Sequence, residues 1–308
     1  MKANARFFSR YSNWLALLLL LIFFGRLLAT AQVKSAAVDE IFHVFQGALY
    51  WQNATLYSVV QNPPLINSVI GLPLALTFQP IFPDNLAPIS DWLALSKSFM
   101  WEANDTGIQM LAVARLAIIW LSVLLGALVY RWSGQLFSAK TAGLLALLLY
   151  TFDPNILAHS FLATTDLGMA FFYTLAGYLV WQYWRSDVSL TIWRFIAAGI
   201  AIGLALAAKF SGLIIIPAVI AIALYRLISM RSRRAVWWRT CLEIIGWLLI
   251  GAFVFIIVYR FSWETLILDF NWQREHQLQG RGSFLLGEFG RGWWYYFPLI
   301  VAIKTPIS

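Results

Sequence analysis

The chain has 308 residues, 61% of them hydrophobic and only 12% charged, with a formal net charge of +8. Soluble domains carry roughly 25% charged residues, so a water-soluble globular protein is excluded. Apolar windows of about 18–20 residues recur, the length that crosses a bilayer, and they run on rather than alternate, which excludes an outer-membrane barrel. The expected class is therefore all-α: a polytopic membrane protein. Its basic residues are spread over short segments between apolar runs. That pattern orients a protein in a membrane and gives no nucleic-acid surface. The sole cysteine, Cys241, permits no disulfide within the chain and no cysteine-based metal site.

In chain order, a basic stretch from Met1 to Arg10 precedes an apolar run at 14–31, longer than the core of a signal peptide, and is read as leading into a retained first span. Further spans are predicted at 110–130, 140–158, 161–184, 195–208, 210–228 and 241–261, with a last one beginning near 293. The apolar stretch 195–228 is divided at Lys209-Phe210-Ser211-Gly212. One long span there would hold Lys209 in hydrocarbon, at a cost of about 2.5–3.5 kcal/mol.

The segment 65–82 is also apolar, but Pro73 and Pro80 suit a helix lying in the interface better than a straight crossing. Counting it as a span would also put the Arg231–Arg239 cluster opposite the basic N-terminus, against the positive-inside rule. Residues 32–109 are then a long outer loop with one or two juxtamembrane helices, and the N-terminus is cytoplasmic. Lys2, Arg6, Arg10, Arg131, Lys140, Arg185, Arg194 and Arg226 join that cluster on the cytoplasmic side, with only Asp187 and Glu243 as acids.

The outer loop opens with Val38-Asp39-Glu40-Ile41-Phe42-His43 and continues to Asn62-Pro63-Pro64-Leu65. If 39–50 is helical, Asp39, Glu40 and His43 share roughly one face, since residues three and four apart are helical neighbours. Charges beside a membrane are costly unless they face water or a partner. The plain alternative is a solvated loop edge. The same topology brings Asp153, His159, Asp166, Lys209, Arg260, His276 and Glu288 to that outer side from separate connections. A site at one mouth of a helical bundle has this form.

The loop 262–292 adds Arg274, Arg281 and Arg291 among glycines. Arginine's fork suits phosphate, although lipid-headgroup contacts account for such residues equally well. Trp293-Trp294-Tyr295-Tyr296-Phe297 is an aromatic belt at a membrane interface. Asn53-Ala54-Thr55 and Asn104-Asp105-Thr106 match the glycosylation sequon.

Several of these stretches together resemble a known family. Asp39-Glu40-Ile41-Phe42-His43 is similar to the first-loop acidic motif of C-type (GT-C) membrane glycosyltransferases. The branch is that of the dolichyl-phosphate-mannose protein mannosyltransferases and the aminoarabinose-transferring lipid A enzyme. Asn62-Pro63-Pro64-Leu65 with Gly71-Leu72-Pro73 resembles its Pro-Pro-Leu element, with Asn62 where many bacterial members have histidine. Asp153-Pro154, Ala158-His159-Ser160 and Thr164-Thr165-Asp166 resemble the second acidic loop. Ala208-Lys209-Phe210-Ser211, Leu286-Gly287-Glu288, the aromatic belt and Lys304-Thr305-Pro306 match two further signatures.

The resemblance implies a GT-C-like helical bundle that transfers a sugar from a polyprenyl-phosphate donor to an acceptor, whether protein, lipid or glycan, on the outer face of what is read as a bacterial cytoplasmic membrane. It implies Asp39 as the catalytic carboxylate, Glu40 as its support, and Asp166 as a second acid that orients substrate. A carboxylate at that height can take the proton of an acceptor hydroxyl, the sugar passes through an oxocarbenium-like state, and the departing phosphate needs fixed cations. Lys209 is the leading candidate for that cation, ahead of Arg274, Arg281, Arg291 and Lys304. A snorkelling lysine that ends a span is the competing reading.

His43 and His159 are candidate substrate-binding residues. A divalent metal is left open, with Asp39, Asp166 and His43 as its candidate ligands. Family members usually extend beyond a position equivalent to Ser308, so 1–308 is expected to be one transferase domain cut short, or a shortened relative. The alternative function is a transporter or lipid flippase, which calls for repeated halves and ionisable residues at the bilayer midplane. A non-catalytic scaffold is a third, and it would tolerate joint replacement of Asp39, Asp166 and Lys209.

Overall fold

The computed structural model describes residues 2–52, 62–83, 92–185, 192–229, 234–278, 282–291 and 293–304. The first predicted span is the long helix α1 (Lys2–Val33), and a short connection leads to α2 (Val38–Gln52). Helices α3 (Leu65–Thr77) and α4 (Trp92–Trp101) complete the long first loop, so the segment at 65–82 is a short helix ending at Thr77. Then come α5 (Gly107–Leu136), α6 (Lys140–Phe152), the short α7 (Pro154–His159) and α8 (Thr165–Arg185). The second half holds α9 (Ile192–Ala208), a 3-10 turn (Phe210–Ile214), α10 (Ile215–Ser229), α11 (Arg234–Val258), α12 (Trp263–Leu278) and α13 (Tyr296–Lys304).

Among the described residues, four segments are long and apolar enough to cross a membrane: Tyr11–Val33, Gly107–Leu136, Phe210–Ile228 and Trp237–Val258. Leu65–Thr77, Lys140–Phe152 and Ile192–Ala208 are shorter apolar helices. Leu242, Leu249 and Phe253 stand exposed along α11. In water such a stripe would be a large apolar patch; against lipid it is the expected surface. The chain is an integral membrane protein.

Helix α1 packs on α5 and α6, α5 on α8, α8 on α9, and α9 on α11. Two close crossings depend on glycine. A Cβ at Gly203 would sit 2.6 Å from the Gly251 carbonyl oxygen, so α9 and α11 touch backbone to backbone. Likewise a Cβ at Gly71 would collide with the Gly47 carbonyl, and one at Gly47 would lie 2.7 Å from the Gly71 nitrogen. Small residues allow this approach, and in lipid the resulting contact is what holds helices together. The α2–α3 pair leans on α5 through a core that includes Ile66, Ile70, Leu74 and Ile118.

The structure alters three readings of the sequence. The span drawn at 140–158 ends as a helix at Phe152. Asp153 is extended (φ −64°, ψ 126°), and its carboxylate accepts from the Asn155 and Ile156 nitrogens at 2.8 and 2.9 Å, capping α7. The proline that follows suits the first turn of a helix and cannot continue the previous one. The span at 161–184 starts only at Thr165, after a turn.

The segment 262–292 is more than a loop. It contains α12 and a two-stranded antiparallel hairpin, β1 (Gly282–Leu285) with β2 (Glu288–Arg291). Leu286 and Gly287 form the hairpin's two-residue turn, both at positive φ (51° and 92°), as a tight hairpin demands. That hairpin is the sheet content among the described residues.

Candidate active site

Helix α2 carries Asp39 and His43 one turn apart, and both line a cavity of about 770 Å³. Helix α8 brings Asp166 to the same cavity in its first turn, with Thr164 and Thr165 just before it. The break between α9 and the 3-10 turn brings Lys209 and Ser211. Lys209 is held extended (φ −164°, ψ 148°), and its Nζ donates to Asp166 Oδ1 at 2.7 Å. Gly212 makes that turn possible, because a Cβ there would strike the Ala205 carbonyl of α9. Asn62, Gln273, Gln277 and Phe297 close the cavity, the two glutamines coming from α12.

The walls mix charge with neutral hydrogen-bonding groups. Thr164 Oγ1 is buried and finds no partner among the described residues. His43 is buried with Nδ1 2.9 Å from Asn67 Oδ1 of α3. Burial holds its pKa below the ordinary 6.5, against the upward pull of the Asn67 hydrogen bond and of Asp39 and Asp166.

Glu40 does not share this face. Adjacent residues on a helix point about 100° apart, and Glu40 turns into the bundle, fully buried. Its Oε1 accepts from Arg115 Nε and the Ala163 nitrogen, each at 2.8 Å. Its Oε2 accepts from Arg115 Nη2 at 2.6 Å and the Ala37 nitrogen at 2.9 Å. Arg115, itself buried on α5, spends its other hydrogens on the carbonyls of Ala31, Lys34 and Ser35 at the end of α1. All five guanidinium donors are thereby used.

Glu40 thus ties together α1, α5 and the turn that leads to Asp166, and it holds the helix that displays Asp39. It stands behind the cavity rather than in it. Arg115 escaped the sequence reading. Its signal was available as a lone arginine inside an otherwise apolar span, which marks a paired and purposeful charge.

The remaining predicted residues are dispersed. His159 is exposed at the end of α7, within electrostatic reach of Asp166 but outside the cavity wall. Arg274 is exposed and also outside the wall. Arg281, Asn53 and the side chains of His276, Arg291 and Lys304 lie outside the described residues. Asn104, the other sequon asparagine, is buried, and its Nδ2 donates to the carbonyls of Ile81 and Phe99, each at 2.8 Å. It is therefore not presented for modification.

The donor set does not fit a divalent metal. Asp166 is engaged by an ammonium group and His43 Nδ1 by Asn67. Among the described residues no three of His, Cys, Asp or Glu converge on one point.

The helical bundle that holds this polar cavity has a GT-C-like fold by its likeness to a solved structure. It is similar to the S. cerevisiae protein O-mannosyltransferase Pmt1–Pmt2 complex solved with bound sugar donor, at a TM-score of 0.59 and 17% identity over 83% of this chain. The chain spans 34% of the length of that yeast chain. The family model for dolichyl-phosphate-mannose-protein mannosyltransferases matches residues 16–266, and the chain belongs to that family. No curated protein sequence matches it.

Proposed function

We propose that the cavity transfers mannose, or a closely related sugar, from a polyprenyl-phosphate donor to a hydroxyl of an acceptor on the non-cytoplasmic face of the membrane. The observation that carries this reading is the meeting of Asp39, Asp166 and Lys209 at one cavity from three separate connections. The family description supplies the donor class and points to protein hydroxyls as acceptor.

Asp39, exposed at the start of α2, takes the proton of the acceptor hydroxyl as general base. The acceptor oxygen bonds to the anomeric carbon while the bond from that carbon to phosphate breaks. The electron pair leaves with the lipid phosphate, through an oxocarbenium-like state. Lys209 faces the charge that develops on the phosphate. Asp166 holds the ammonium in place before the donor arrives. One displacement inverts the anomeric centre, and no step is routed through a metal.

The test uses the purified protein in lipid nanodiscs with radiolabelled polyprenyl-phosphate β-mannose and a serine/threonine-rich peptide. Labelled peptide carrying α-linked mannose is the expected product. A β-linked product would reject the single displacement, and complete absence of label in peptide and lipid acceptors would reject the transfer.

A further inference from the structure

His43 sits one turn beyond Asp39 on α2, and its ring lines the cavity while Nδ1 is committed to Asn67. The partnership is built by backbone. Gly47 lies four residues after His43, Gly71 lies four residues after Asn67, and these two glycines are the point where α2 and α3 touch. The crossing therefore fixes the distance between imidazole and amide. Asn67 is itself buried, so neither group can readily exchange its partner for water.

The amide oxygen has lone pairs and no hydrogen, so Nδ1 must carry the proton. In a neutral imidazole the lone pair then stands on Nε2. Nε2 has no protein partner among the described residues, and it is not among the buried orphaned atoms. It is consequently reachable from the cavity, as an acceptor and not as a donor. Burial favours this uncharged form.

A bound donor and acceptor present several hydroxyls. The acceptor hydroxyl has one hydrogen to give, and the charged Asp39 outcompetes a neutral imidazole for it. The imidazole is left for the hydroxyls of the sugar.

We infer that His43, locked by Asn67 with its Nε2 lone pair toward the cavity, recognises one hydroxyl of the donor sugar and orients the glycosyl group beneath Asp39. This rests on the sugar-transfer reading above. It assigns His43 and Asn67 a role in sugar selection: His43 is a binding residue and Asn67 positions it. A sugar that offers no donor at that position, as with an ether or a deoxy carbon, leaves Nε2 unsatisfied and is discriminated against.

The experiment measures equilibrium binding of polyprenyl-phosphate mannose and its 2-, 3-, 4- and 6-deoxy analogues to the purified protein in nanodiscs, without acceptor. Wild type should bind one of the four analogues roughly tenfold more weakly than the parent, the scale of one neutral hydrogen bond. In His43→Phe that penalty disappears, while the penalties at the other positions are unchanged. Should His43→Phe fail to fold, Asn67→Val provides the same reading. The imidazole stays but its tautomer is released, and the penalty at the same position shrinks.

Two results overturn the inference: a wild type with no deoxy penalty, or a penalty that survives in the His43 and Asn67 variants alike. A wild type that binds none of these lipids instead overturns the transfer reading itself.

Discussion

Two carboxylate–cation pairs lie near the cavity, and they do different work. Glu40 and Arg115 are both buried, and every polar hydrogen between them is placed. Removing one partner strands a charge in a dry interior, which costs about 3–5 kcal/mol. Arg115→Met is accordingly expected to lower the thermal midpoint of the purified protein and its yield.

Asp166 and Lys209 are half-exposed, and ion pairs of that kind contribute about 1 kcal/mol or less. Lys209→Met should therefore leave thermal stability nearly unchanged while reducing transfer about 100–1000-fold, the scale of losing one preorganised charge at a departing oxyanion. Equal stability losses in the two variants, read by differential scanning fluorimetry, would contradict this division.

The sequence made Asp39, Asp166 and Lys209 legible, because polar residues at the ends of apolar runs stand out. It did not separate Asp39 from Glu40. Adjacent acids look alike until a partner 75 residues further on claims one of them.

At the scale of helices, the cavity depends on contacts that never touch a substrate. The Gly47–Gly71 crossing sets α3 against α2 and places Asn67 at His43. Gly71→Val would force the two backbones apart. The expected result is a protein that still inserts in the membrane but binds donor at least tenfold more weakly, about the effect of losing one positioned hydrogen bond. Donor binding equal to wild type would show that the crossing is not what positions the site.

The hydrophobic pattern predicted the long helices well, including the break at Lys209, since a lysine within 34 apolar-rich positions has few places to sit. It missed the structure within 262–292. The mixed polar composition of α12 shows no apolar face to find, and glycines around the hairpin read simply as loop. Gln273 and Gln277 went unnoticed for the same reason, although their amides line the cavity. Asp153, read as part of an acidic loop, is a helix cap whose role only local geometry reveals.

Over the whole molecule, two polar clusters mark opposite ends of the bundle. Asp166 opens α8, and Tyr183 near its other end donates to Glu243 of α11 at 3.0 Å. Roughly 25 Å of helix separates them, close to the hydrocarbon thickness of a bilayer. Glu243 also receives Trp184 Nε1 at 2.9 Å and pairs with Arg226 and Arg239 at 3.3 and 3.0 Å. By the positive-inside rule we propose that this basic end faces the cytoplasm and that the cavity, at the other end, faces outward. In a Cys241→Ala background, a cysteine at Gln277 should react with a membrane-impermeant maleimide in intact cells. One at Arg239 should react only after permeabilisation, and the reverse pattern would invert the topology.

The central claim is that this outward cavity performs sugar transfer through the Asp39 carboxylate. Its most direct test is release of free polyprenyl phosphate from polyprenyl-phosphate mannose by wild type and Asp39→Asn, compared at equal folded concentration with acceptor present. Loss of a general base is expected to slow release about 100–10,000-fold. Undiminished release by Asp39→Asn would contradict the account.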